Sequence, residues 1–282
     1  MLLFDHAMRR FALPIVCVRF ERERGTGMRR RIDWVSFVVI GLVAGFMSGL
    51  FGVGGGIIVV PLLIGLAGFD QKRAAGTSLA AIVPTSIAGV VSYALHGDVA
   101  WLAGLVLCVG SIVGAQLGSH LLHKLPKKAV QWAFIAFLIA VIVSMFFVIP
   151  SRDAEIHLNG FSIVGLIALG LVVGILSGIL GIGGGAVIVP MLILVFGASD
   201  LVAKGTSLAI MIPTAISGTI GNVRRRNVDL PAAITIGLCA CLTTALGAIV
   251  AGAIDPVLAN ILFAVFLAAI AVQLSVRAIR SR

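Results

Sequence analysis

The sequence predicts an all-α, polytopic membrane protein made of two inverted-topology repeats. The prediction rests on composition, on long uncharged apolar runs and on an internal duplication. Of the 282 residues, 60% are hydrophobic and only 11% are charged, whereas soluble domains average about 25% charged residues. This composition argues against a soluble enzyme, a nucleic-acid-binding protein and a disordered chain. The net charge of +10 is interpreted as topological, because Lys and Arg collect in the cytoplasmic loops of membrane proteins.

The second half of the chain repeats the first at a constant offset, which aligns Gly45 with Gly174 and Gly76 with Gly205. Between residues 41–89 and 170–218, 25 of 49 aligned positions are identical. Both halves contain the pattern Ser-Gly-x-x-Gly-x-Gly-Gly-Gly, followed by Gly-Thr-Ser-Leu-Ala and then Pro-Thr. Such a match at a fixed offset indicates an internal duplication.

Each repeat is predicted to contain five apolar runs, with a glycine-rich break after the first run. In the first repeat, the runs are 34–51, 57–69, 78–96, 101–122 and 129–149, and the break is 52–56. In the second repeat, they are 161–180, 186–198, 206–223, 230–252 and 257–276, and the break is 181–185. A membrane span needs about 20 apolar residues, and the second run of each repeat has only 13. Each repeat is therefore predicted to be a glycine-broken helical hairpin followed by three spans.

The charges between the runs predict how the chain is threaded through the membrane. If each short run turns back, one side of the membrane holds net-positive segments only: the two tails and residues 70–76, 123–128 and 224–229. The segments on the other side, which hold Asp98, residues 152–155, Asp200 with Lys204, and Asp255, are not net positive. Because Lys and Arg stay in the cytoplasm, both termini are predicted to be cytoplasmic. The second repeat is then inverted relative to the first, which is a transporter architecture.

This threading defines the predicted organisation of the chain. It consists of a basic cytoplasmic N-terminal extension (1–33), repeat 1 (34–149), repeat 2 (161–276) and a basic cytoplasmic tail (277–282). The apolar stretch at 11–18 is too short to span a membrane and does not resemble a signal peptide. Two interpretations of the segment 1–27 stay open: a cytoplasmic extension, or a translation start at Met28 rather than at Met1.

The two glycine breaks are the candidate substrate site. Non-helical backbone at membrane depth must be enclosed by protein or by a water-filled cavity. The helix after each break starts with N–H groups that lack helical partners, and this positive end of the helix dipole can bind an anion. Thr and Ser of each Gly-Thr-Ser motif can cap the next helix or contact the solute. The predicted substrate-binding residues are Gly54, Gly55, Gly56, Thr77, Ser78, Gly183, Gly184, Gly185, Thr206 and Ser207.

A simpler interpretation of each break is a tight hairpin that touches no ligand. No histidine or carboxylate falls at mid-span beside a Ser or Thr, so the sequence predicts no enzyme, no catalytic or metal-binding residue and no cofactor. His120, near the end of a span, is the one histidine to test for proton coupling. The expected partners are a small anionic solute and the lipid bilayer, with a possible homo-oligomer and no nucleic acid.

Two motifs of this chain resemble the TauE/SafE family of sulfite exporters, also called the toluene-sulfonate uptake permease family. They are residues 48–56 with Pro61, and residues 76–79, and both are repeated at the same offset. The resemblance covers 34–276 and leaves out the segment 1–27. It implies a multi-pass permease of the prokaryotic inner membrane for small sulfur-containing anions such as sulfite, sulfoacetate or other sulfonates. The expected function is therefore transport of a small anion by alternating access, most simply export. A passive anion channel is the alternative.

Overall fold

The computed structural model describes residues 27–145 and 160–280, which form ten α-helices and no β-strand. The helices of repeat 1 are α1 (Gly27–Phe51), α2 (Gly56–Leu66), α3 (Gln71–Ala94), α4 (Trp101–Lys124) and α5 (Lys127–Met145). Those of repeat 2 are α6 (Gly160–Leu180), α7 (Gly185–Phe196), α8 (Asp200–Arg224), α9 (Leu230–Ala253) and α10 (Pro256–Arg280). In the described ranges, seven helices (α1, α3, α4, α6, α8, α9 and α10) are long and apolar enough to cross a membrane. The all-helical membrane fold is confirmed.

Each glycine break reverses the chain, as predicted. A side-chain carbon on Gly55 would lie 2.9 Å from the carbonyl oxygen of Ala44, two turns back in α1. The Phe69 ring, beyond the end of α2, lies 6.2 Å from the ring of Phe37 in the middle part of α1. The short helix α2 therefore runs back along α1. The second break has the same geometry, because Gly184 lies against Val173, the equivalent of Ala44.

The starts of α3 and α8 correct the predicted run boundaries. The runs were expected to begin at 78 and 206, but the helices begin at Gln71 and Asp200. The side chains of Asp70 and Ser199 cap these helices by accepting hydrogen bonds from backbone N–H groups. Charged residues in the first turns had suggested loops, yet N-capping side chains allow a helix to begin before its apolar part.

Helices α1 and α6 pack against helices of the opposite repeat. Gly41, Gly45 and Gly49 of α1 lie against the backbone of α9, and Gly170, Gly174 and Gly178 of α6 lie against the backbone of α4. The residue numbers of the contacted residues rise with those of the glycines, from Ile236 to Thr244 on α9 and from Leu107 to Ala115 on α4. The two helices of each pair therefore run parallel. Glycines at four-residue spacing allow this close approach.

Helices α3 and α8 meet at the centre of the molecule and run in opposite directions. Leu208 approaches Gly89, and Leu79 approaches Gly218. These are equivalent contacts, because the repeat offset aligns position 79 with 208 and position 89 with 218. Each repeat thus makes with the other the same contact that the other makes with it, as in an approximate two-fold relation.

One end of the molecule collects basic loops. The Lys72 ammonium donates to the carbonyl of His123 at 3.0 Å, and the guanidinium of Arg73 pairs with Asp229 at 2.5 Å. Arg225 lies 3.2 Å from the imidazole of His120. These contacts bring the segments 70–76, 123–128 and 224–229 to the same end of the bundle.

Candidate functional site

The two glycine breaks are buried and touch each other. All residues of 52–56 and 181–185 are buried. A side-chain carbon on Gly56 would lie 2.6 Å from Cα of Ile182, and one on Gly185 would lie 2.7 Å from Cα of Val53. The start of α2 therefore lies against the second break, and the start of α7 lies against the first break. Both contacts are in the interior of the bundle.

The break glycines leave a cluster of free backbone donors. Gly55 and Gly184 cap α2 and α7 in the left-handed conformation, with φ values of 75° and 88° that favour glycine. Within the described residues, no hydrogen-bond partner is found for the amide N–H groups of Gly54, Gly55 and Gly56, or of Gly183, Gly184 and Gly185. Buried backbone donors are rarely unpartnered in native proteins. The structure thus brings the six predicted glycines together with their donors unused.

The space between these glycines is filled by two apolar side chains. Met211 approaches Gly54, Gly183 and Gly185, and Ile82 lies near Gly56 and Gly183. Both side chains are 1% exposed or less, and they occupy equivalent positions in α3 and α8. We call Ile82 and Met211 the apolar plug. Nothing in the sequence distinguished them from ordinary core residues except their matching positions, one turn or less before Pro84 and Pro213.

The predicted hydroxyl groups are buried several residues inside α3 and α8 rather than at the helix starts, and of these groups Ser207 contacts a glycine break. Thr77 and Thr206 accept hydrogen bonds from the backbone N–H groups of Asp229 and Ala100, both at 2.9 Å. Ser207 donates to the carbonyl of Gly52 at 2.9 Å. Ser78, its equivalent, is fully buried and has no partner among the described residues. The expectation that this motif opens the helix was wrong, since Asp70 and Ser199 are the caps.

A buried ion pair beside the first break was missed from the sequence. The ammonium of Lys204 lies 2.8 Å from Asp200, and the two side chains are 4% and 3% exposed. Both residues had been assigned to an external loop because charged residues usually mark loops. Their spacing of four residues on a helix, which allows them to neutralise each other, was the signal that could have found them.

Two further polar side chains, His120 and Gln116 of α4, contact α8 or the residue that follows it. His120 is exposed at the basic end, beside Arg225. Gln116 donates to the carbonyl of Ser217 at 2.7 Å and so links α4 to α8. Across the described ranges, no three His, Cys, Asp or Glu side chains are grouped so that they would hold a metal ion.

Comparison with known proteins shows which family this chain matches. The model of the sulfite exporter TauE/SafE family matches residues 6–145 and 166–282. The chain belongs to the TauE/SafE family. The match begins at residue 6, so the expectation that the whole segment 1–27 lies outside the resemblance was wrong.

Relatives of this TauE/SafE chain are named as transporters. It is 29% identical over 215 residues to the probable membrane transporter protein YunE of Bacillus subtilis, covering 68% of this chain and 79% of that protein. It is 29% identical over 195 residues to YdhB of the same organism, with 68% and 80% covered. It is 31% identical over 196 residues to a probable membrane transporter protein of Methanocaldococcus jannaschii, with 65% and 70% covered. No solved structure matches the chain. The protein is a multi-pass membrane transporter of this family.

Proposed function

We propose that this transporter moves a small anion, sulfite or an organic sulfonate, out of the cell across the inner membrane by alternating access. The anion binds between the two glycine breaks. Backbone N–H groups of Gly54–Gly56 and Gly183–Gly185 hold it, and the hydroxyls of the two Gly-Thr-Ser motifs complete the site. No catalytic step is involved.

The observation that carries this proposal is the meeting of two helix starts whose six buried N–H groups have no partner in the described chain. Two such helix ends concentrate positive potential at one point without needing a charged side chain there. Discontinuous helices that place their ends at a central site are a recurring design of secondary transporters. The apolar plug separates the donors in the present conformation, so anion binding requires Met211 and Ile82 to move.

We also propose that the basic end of the bundle faces the cytoplasm and that the repeats are inverted in the membrane. The antiparallel packing of α3 against α8 and the grouping of the basic loops support this orientation. Gly97 and Arg226 are equivalent loop positions in the two repeats, and both have a positive φ. In an inverted repeat they lie on opposite sides of the membrane.

Cysteine labelling tests the orientation. In a background without native cysteines, Gly97→Cys is expected to react with a membrane-impermeant maleimide added to intact spheroplasts. Arg226→Cys is expected to react only after the cells are permeabilised. Labelling of both positions from the same side would rule out inversion.

Flux through the purified protein tests the site. In proteoliposomes, the wild type is expected to carry labelled sulfite or methanesulfonate. The double variant Gly55→Val with Gly184→Val is expected to lose at least about 90% of the flux, because branched side chains are strained at positive φ and crowd both helix starts. Gly68→Val is the matched control: its φ is also positive, at 69°, but open space surrounds it. Unchanged flux in the double variant would remove the glycines from the mechanism, and counterflow of labelled anion distinguishes a carrier from a channel.

A further inference from the structure

The buried ion pair of Asp200 and Lys204 is the feature of this molecule that the proposed site does not yet use. Among the residues whose burial is described, these are the only buried side chains that carry a formal charge at neutral pH. Taking two charges out of water is costly, and their mutual attraction often does no more than offset that cost. Charged residues inside membrane proteins commonly mark the path of an ion or substrate.

The first repeat shows that the fold does not need these charges. The positions equivalent to Asp200 and Lys204 are Gln71 and Ala75. Both pairs start a capped helix, and both pack against a glycine break: Lys204 lies against Gly52, and Ala75 lies against Gly181. The same packing is therefore built once with a neutral pair and once with an ion pair. The difference points to a role other than holding the helices together.

Lys204 stands at the edge of the first break. Its Cα and Cβ would lie 2.6 Å from a side-chain carbon on Gly52. One turn further along α8, Ser207 donates to the carbonyl of the same glycine. Lys204, which carries the positive charge, is therefore on the same helix as Met211 of the apolar plug.

A cleft reaches the first turn of α8 from the surface. Its volume is about 330 Å³, and its lining includes Tyr93, His96, Asp98 and Leu201, the residue next to Asp200. From α3, the Tyr93 hydroxyl donates to the carbonyl of Gly49 at 2.6 Å, three residues before the first break. The cleft therefore ends at the residue that follows Asp200 in the first turn of α8.

We propose that Lys204 is the cation that pairs with the transported anion and that Asp200 is the counter-ion that competes for it when the site is empty. This inference rests on the proposed transport of a small anion and adds a charged, one-sided component to the otherwise symmetric glycine site. An anion reaching the first break replaces the Asp200 carboxylate as the partner of the ammonium. Asp200 thereby keeps the empty site neutral and sets how weakly the anion is held, so that it can be released.

The proposal predicts effects of opposite sign at the two residues. In Asp200→Asn, the competitor loses its charge, and the anion is expected to bind about tenfold tighter. In Lys204→Gln, the cation is lost, and binding is expected to weaken about tenfold or more. A tenfold change corresponds to about 1.4 kcal/mol. A pair that served only to stabilise the fold would give losses at both positions.

The test uses the full-length purified protein, titrated with sulfite and with methanesulfonate by calorimetry and assayed for flux in liposomes. Single variants can unfold because each leaves a buried charge unpaired, so each is checked for a monodisperse elution profile. The double variant Asp200→Gln with Lys204→Ala copies the neutral pair of repeat 1 and leaves no unpaired charge. It is expected to fold and to bind the anion as weakly as Lys204→Gln.

Two results would overturn the inference alone while the wild type still carries the anion. One is wild-type affinity in the double variant. The other is weaker binding in a folded Asp200→Asn protein. If the wild type neither binds nor carries either anion, the proposed function fails, and this inference fails with it.

Discussion

Alanine at Gly247 is expected to destabilise the protein by about 3 kcal/mol, the upper part of the usual range for overpacking a buried contact. Gly247 lies on α9, where a side-chain carbon would meet the carbonyl oxygen of Phe46 and lie 2.9 Å from the amide nitrogen of Leu50. Both neighbours are backbone atoms of α1 and cannot rotate away. The two helices must therefore separate, and the other glycine contacts between them weaken as well.

Gly252 provides the matched control for this prediction. It lies on the same helix, and nothing is within 4 Å of a side-chain carbon built there. Gly252→Ala is expected to be neutral or to stabilise by about 0.5–1 kcal/mol, because alanine has the better helix propensity. Unfolding in increasing denaturant, followed by tryptophan fluorescence in detergent, measures both variants. Equal stability of the two variants would contradict the close α1–α9 contact.

The second large effect is expected at the apolar plug. Met211→Ala is expected to raise anion flux about tenfold, equivalent to lowering the barrier by about 1.4 kcal/mol, because the side chain that separates the two helix starts is shortened. The same change should lower the free energy of unfolding by about 2–5 kcal/mol, as is usual when a buried methionine is truncated. Faster transport with lower stability is an unusual combination for a core substitution.

The variant Leu138→Ala tests whether the expected rise in flux comes from shortening the apolar plug or from the loss of stability. Leu138 is fully buried on α5 and is not among the residues nearest to the break glycines, so its truncation is expected to cost a similar amount of stability without raising flux. Flux and thermal stability measured on the same liposome and detergent preparations decide the matter. A rise in flux in both variants would mean that general loosening of the bundle, rather than the plug, controls transport.

The sequence predicted the parts of this fold that depend on local chemistry. The repeat offset, the glycine-broken hairpins and the burial of the glycines could all be read from the chain, because only glycine allows both positive φ and close packing of backbones. The identity of the helix partners could not. The glycines of α1 predict a close neighbour, but nothing local indicates that this neighbour is α9 of the other repeat.

The remaining differences arise from side chains whose meaning depends on their neighbours. Met211 and Ile82 are apolar residues in apolar helices, and only the three-dimensional structure shows that they occupy the space between the breaks. Asp200 and Lys204 were assigned to a loop because lone charges are excluded from membrane interiors. Two opposite charges on one helix can be buried together, because their mutual attraction offsets part of the cost of taking each of them out of water.

The exchange of helix partners between the repeats bears on how the chain is synthesised. The hydroxyl of Thr243 on α9 donates at 2.7 Å to the carbonyl of Leu42 on α1, across a sequence separation of 201 residues. During co-translational insertion, α1 enters the bilayer long before the ribosome has made the helix that covers its glycine face. The nascent N-terminal half must therefore persist in lipid with its contact surface uncovered, and it completes its packing only when the last quarter of the polypeptide is inserted.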